Sequence, residues 1–97
     1  MSRVKWSPFA LEDVHRIYRF LATKNSKAAK RAVEIIRESI KTIALQPEAG
    51  RPAENMEPEY REWVIDFGGS GYIALYHYDG HKTAIILAVR HQKEAGY

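Results

Sequence analysis

Cysteine is absent from the 97 residues, which excludes disulfides and thiolate metal sites. Long apolar runs are absent too. None approaches the roughly 18 residues of a membrane span, and the opening MSRVKWSPF lacks the apolar stretch of a signal peptide. A soluble, cytoplasmic protein is therefore expected. Histidine is sparse, and His15, His77, His81 and His91 form no pair at metal-ligand spacing. No metal and no cofactor are expected. Strong charge of one sign is also missing, since the net charge is only +3. Its distribution is uneven: residues 1–46 hold ten Lys/Arg against four Asp/Glu, and residues 47–97 hold five against eight. The basic first half fits either solvated helix faces or a surface for an acidic partner. A chain of this length is one domain, residues 1–97, with a single modest core.

What is present is strong periodicity. Val4 and Trp6 alternate with Arg3 and Lys5, as in a short half-buried strand. Ser7-Pro8 follows as a helix start, with serine as the cap and proline in the first turn. Leu11, Val14, Ile17, Tyr18 and Leu21 then form an apolar stripe that predicts a helix to about Thr23. Asn25-Ser26 is a turn with cap chemistry. Ala29, Ala32, Val33, Ile36, Ile40, Ile43 and Ala44 predict a second helix to about Gln46, ended by Pro47 and antiparallel to the first. Residues 47–59, rich in Pro, Glu and Gly, read as a loop. Three strands follow: YREWVIDF, GYIALYHYD and TAIILAVRH. The first two are joined by GGSG and the last two by an Asp79-Gly80 turn. Helices that cover one sheet face give an α+β, two-layer fold: N-terminal strand, antiparallel helix hairpin, three-stranded antiparallel meander.

This order resembles the RelE/ParE family of bacterial type II toxins. The resemblance is carried by VKWSPFALEDVHRIYRFLA, the PEAGRP loop, REW, GYIALYHYD and AVRHQKEAGY. It implies a small toxin neutralised by a cognate, ParD-like antitoxin protein encoded beside it. Two activities remain open. ParE-like members poison DNA gyrase by direct binding, which makes gyrase the expected target and plasmid stabilisation the expected role. RelE-like members are ribosome-dependent mRNA endoribonucleases. A third possibility keeps antitoxin binding and loses toxicity.

Metal-free RNA cleavage needs a base, cations on the phosphate and an acid for the leaving oxygen. The resemblance places the nuclease lysines at Val64 and Asp66 and the nuclease arginine at Ile73, none of which can hold a phosphate. Arg90 keeps a match, and Tyr97 lies near a tail tyrosine. Arg61 and His91 are what could build a different site, amid net negative charge of the wrong sign for RNA. The sequence therefore favours a protein without catalytic residues of its own. Arg90, His91, Tyr97 and Arg61 become candidate contacts to target or antitoxin. On the first helix Phe9 and Phe20 lie off the apolar stripe, next to Arg16 and Arg19, and this set suits an acidic amphipathic antitoxin segment.

Other features have plainer readings. Tyr72, Tyr76 and Tyr78 share a strand face and read as core or interface. Gly68, Gly69 and Gly71 form a turn, since no helix follows them to make a phosphate loop. His77 reads as a packed or edge histidine. Glu12-Asp13 read as charges favourable to the helix dipole.

Overall fold

The computed structural model describes residues 3–93. The elements are β1 (Arg3–Trp6), α1 (Pro8–Ala22), α2 (Ser26–Leu45), β2 (Arg51–Pro52), β3 (Tyr60–Phe67), β4 (Ser70–Tyr78) and β5 (Thr83–His91). Both helix starts use the expected caps. Ser7 Oγ accepts the Ala10 N–H at 3.0 Å with Pro8 in the first turn. Asn25 Oδ1 accepts from the amides of Lys27 and Ala28 at 3.0 and 3.1 Å. The five strands form one sheet in the order β1-β5-β4-β3-β2. β1 runs parallel to β5, and the β3–β4–β5 meander is antiparallel. At the β4–β5 turn, Asp79 Oδ1 accepts the His81 N–H at 2.8 Å, and Gly80 takes φ +84°.

The helix hairpin covers one sheet face. Its core joins Ala10, Val14 and Ile17 of α1 and Ala32, Ile36, Ile40 and Ile43 of α2. From the sheet come Ile65, Tyr72, Ala74, Tyr76, Ala84, Ile86 and Val89. Two parts of the sequence reading change here. The buried stripe of α1 is turned toward Ala10, leaving Leu11 and Tyr18 exposed on its flank. Alanine weighs little in a hydrophobic count, yet its small side chain is what lets α1 approach the sheet. The 47–59 stretch is also not all loop, because Arg51 and Pro52 pair with Glu62 and Arg61 as a short edge strand.

That segment is held by long-range polar contacts. The Tyr76 hydroxyl donates to Pro47 O at 2.7 Å and accepts the Gly50 N–H at 3.0 Å. A Cβ on Gly50 would run into that hydroxyl.

β5 carries a bulge. Leu75 pairs with Ala88 and Tyr76 with Ile86, so Leu87 is the extra residue. β1 ends level with the bulge, its last bond to β5 running from Ser7 N to Ile86 O. Beyond that point the edge of β5 is served by side chains of the α1 segment. Ser7 Oγ donates to Leu87 O at 3.1 Å, and Asp13 Oδ2 accepts the Val89 N–H at 2.9 Å. Asp13 therefore acts as an edge cap for the sheet and lies outside the first helical turn, which corrects the helix-dipole reading.

Candidate functional site

Strand register decides which candidate residues can act together. Arg61 lies opposite Tyr76, on the helix-facing side of the sheet. Arg90 lies opposite Ile73, whose side chain points to the other face. The two arginines are thus on opposite faces. Arg61 Nη1 donates to Glu48 O at 3.0 Å and to Gly50 O at 2.9 Å, so this cation braces the 47–50 segment. Arg90 is held from its own side. Its Nη2 lies 3.9 Å from Glu62 Oε2, and its Nη1 donates to His91 O at 3.3 Å. Glu62 and Arg90 are only 12% and 15% exposed, and Glu62 also accepts from Arg51 Nε at 3.0 Å. Val64, Ile73 and Arg90 form one row across three neighbouring strands. Two of the three places in that row are apolar, and the only cation leans on a carboxylate.

His91 is oriented by its hydrogen bonds. Nδ1 accepts the Lys93 backbone N–H at 3.1 Å, which fixes the proton on Nε2, 3.0 Å from Ser70 Oγ. The imidazole therefore donates to Ser70. The Ser70–His91 pair has the spacing of a nucleophile and its base, but with this tautomer the ring has no nitrogen ready to take a proton. The ring also stacks edge-on against Tyr72, with centroids 5.6 Å apart. Burial raises the Tyr72 phenol above its usual range. It raises Tyr76 as well, offset in part by the Gly50 amide and the Arg61 charge. His77 lies on the central strand β4 and packs edge-on against Tyr60 at 4.9 Å, which makes it the packed histidine of the two readings. Among the described residues no group of three or more His, Asp or Glu side chains comes together to hold a metal. Tyr97 lies outside the described residues.

His91 opens instead onto a groove of about 730 Å³ between α1 and the β3–β4 end of the sheet. Ile17, Leu21, Phe67 and Tyr72 give it apolar walls. Arg16, Lys93 and Phe20 rim it, and among the described residues no carboxylate lines it. Phe20 is 61% exposed and Phe9 78%, as their places off the buried stripe predict. Lys24 Nζ sits 4.4 Å from the Phe20 ring centroid, and Arg19 pairs with Glu12 at 3.1 Å. The structure thus brings Arg16, Phe20 and His91 together and leaves Arg61 and Arg90 apart from them. Phe67, Ser70 and Lys93 were not singled out from the sequence. Phe67 could have been, since alternation in β3 puts it on the face of Ile65. Glu62 was likewise legible, two residues from Val64 and on Arg90's face.

The sequence model of the ParE toxin of the type II toxin–antitoxin system, parDE, matches residues 4–96. The chain belongs to the ParE toxin family. A curated relative, Toxin RelE3 of Caulobacter vibrioides, is 30% identical over 96 residues, covering 97% of this chain and 98% of its own. The fold of this ParE-family toxin is similar to that in a solved structure described as the chromosomal ParDE TA system from P. aeruginosa. That match has a TM-score of 0.76 and 26% identity, over 94% of this chain and 96% of the other. It shares its fold also with the YoeB dimer from Staphylococcus aureus, at a TM-score of 0.61 and 20% identity over 92% and 94% of the two chains. As a ParE-like toxin of a type II system, it presents a cation-rimmed apolar groove and, on the other sheet face, the row Val64–Ile73–Arg90 with its cation beside Glu62.

Proposed function

We propose that this toxin inhibits DNA gyrase by direct binding, in the cytoplasm, with no chemistry of its own. A ParD-like antitoxin encoded beside it would neutralise it. The row Val64–Ile73–Arg90 carries this reading, with its one cation leaning on Glu62. A phosphate clamp needs positive charge directed at the substrate, and here that charge is met from within. The antitoxin's surface is assigned to Phe9, Arg16, Arg19 and Phe20 with the adjoining groove. Exposed aromatics beside cations suit an acidic amphipathic segment. Arg90 and His91 are assigned to target contact or to bracing the end of β5, and Tyr97 keeps its expected role as a contact.

The relative named Toxin RelE3 makes ribosome-dependent RNA cleavage the reading to test against. Wild type, Arg90→Ala, His91→Ala and a chain truncated after His91 are titrated against gyrase supercoiling and against messenger RNA on ribosomes. Wild type should inhibit supercoiling. At least one variant should shift the dose to higher concentration, and none should cleave RNA. A binding surface loses potency in a graded way that excess protein restores, whereas a catalytic group loses turnover by orders of magnitude. Ribosome-dependent cleavage by wild type, abolished by Arg90→Ala, would overturn this function.

A further inference from the structure

One flank of α1, beside its buried stripe, is self-complementary. Phe9, Asp13, Arg16 and Phe20 follow one another at spacings of four, three and four, which is the spacing of a coiled-coil seam. Their order along the helix is aromatic, acid, base, aromatic. Reversing the helix exchanges the two phenylalanines and exchanges acid for base. Leu11 and Tyr18, exposed on the far flank, swap under the same reversal. The charges beside the seam follow suit, with Glu12 toward one end and Arg19 and Lys24 toward the other. Phe9 and Phe20 are two of the most exposed large apolar side chains in the described residues, about 16 Å apart along the helix axis.

We propose that two copies of the free toxin associate through α1, antiparallel about a two-fold axis that passes between the two helices, level with Val14 and His15. Phe9 of each copy packs on Phe20 of its partner copy, and Asp13 faces Arg16 across the axis. Such a contact is isologous and closes on itself, so it stops at the dimer. A parallel arrangement would set acid against acid and base against base, which fixes the direction. The acid–base pair already exists within one chain, where Asp13 Oδ1 lies 3.5 Å from Arg16 Nη2. Dimerisation redistributes that pairing across the axis and leaves Asp13 Oδ2 on the Val89 amide. Arg16 and Phe20 also rim the groove assigned above to the antitoxin. The two occupants therefore exclude one another, and the dimer is a state of the toxin without its antitoxin.

Sedimentation equilibrium of the full chain tests the proposal between about 10 μM and 1 mM, the range for an interface below roughly 1,200 Å². Wild type should pass from monomer to dimer. Phe9→Lys and Phe20→Glu should each weaken association about tenfold or more. Both positions are exposed, so circular dichroism should remain that of wild type. Phe9→Gln and Phe20→Gln stand in for either variant whose spectrum departs. An equimolar mixture of Phe9→Lys with Phe20→Glu should restore a heterodimer, because antiparallel packing brings the introduced lysine onto the introduced glutamate and leaves one Phe–Phe contact intact. A wild type that stays monomeric to 1 mM overturns the proposal, as does a dimer that neither variant weakens. Loss in both variants without recovery on mixing overturns the antiparallel register.

Discussion

Tyr76→Phe removes one oxygen from the centre of the molecule and tests how the 47–50 segment is held. The ring is fully buried, and phenylalanine keeps its shape, so the apolar contacts survive. What is lost is a donor to Pro47 O at 2.7 Å and an acceptor for the Gly50 N–H at 3.0 Å. Leaving a buried polar group unsatisfied costs about 1–3 kcal/mol. Arg61 still binds Glu48 O and Gly50 O, so the segment stays in place and relaxes little. A net loss of about 2 kcal/mol is expected, which for a chain of this length lowers Tm by about 10 °C. The pH dependence supplies an internal control. Burial holds the Tyr76 phenol above its usual value, so the folded state keeps its proton while the unfolded chain ionises near pH ~10. That contribution to stability is complete below pH ~10 and is lost as pH rises toward the folded-state value. The variant lacks this term, so its stability should fall less steeply above pH ~10 than that of wild type. Tyr72 is shifted in the same direction in both proteins and leaves the comparison unchanged. Thermal melts from pH 7 to 11 measure both effects. A Tm within a degree or two of wild type, with parallel alkaline limbs, would refute the assigned role.

Ile36, fully buried between α2 and the sheet, should cost about 2–5 kcal/mol on truncation to alanine. A urea midpoint equal to that of wild type would mean the core is centred elsewhere. Asp13→Ala strips the Val89 amide of its acceptor and should cost about 1–3 kcal/mol, while Asp13→Asn keeps an acceptor oxygen and should recover most of it. Amide exchange at Val89 measures this directly, and equal protection in both variants would count against the edge cap.

Much of the fold was legible because it is written locally. Ser7-Pro8, Asn25-Ser26, Pro47 and Asp79-Gly80 mark boundaries by chemistry confined to a few residues, and all four lie where elements begin, end or turn. The parts that escaped depend on partners far along the chain. β2 is two residues in a stretch of turn-forming composition, and only its pairing with β3 makes it a strand. The bulge at Leu87 is hidden inside a run so apolar that a slip of one residue leaves the hydrophobic pattern intact. Asp13 looks like any acidic residue early in a helix until Val89 arrives beside it. At the candidate site, the exposure of Phe9 and Phe20 followed from their angular position on α1. The duties of Arg61 and the tautomer of His91 did not follow, because each is set by backbone atoms that no periodicity reports.

The parallel pairing of β1 with β5 ties the toxin's maturation to the clock of its synthesis. Ser7 and Leu87, which bond to each other, are 80 residues apart. At the roughly 5–20 residues per second of bacterial-type elongation, β1 emerges about 4–16 s before the strand it will join. During that interval the helix hairpin can form from local contacts, but β1 has no neighbour and α1 has no β5 edge to cap. A nascent toxin is therefore helical first and completes its sheet last. Any surface that depends on the far end of β5, including the groove that His91 lines, comes into being only after His91 itself has been made.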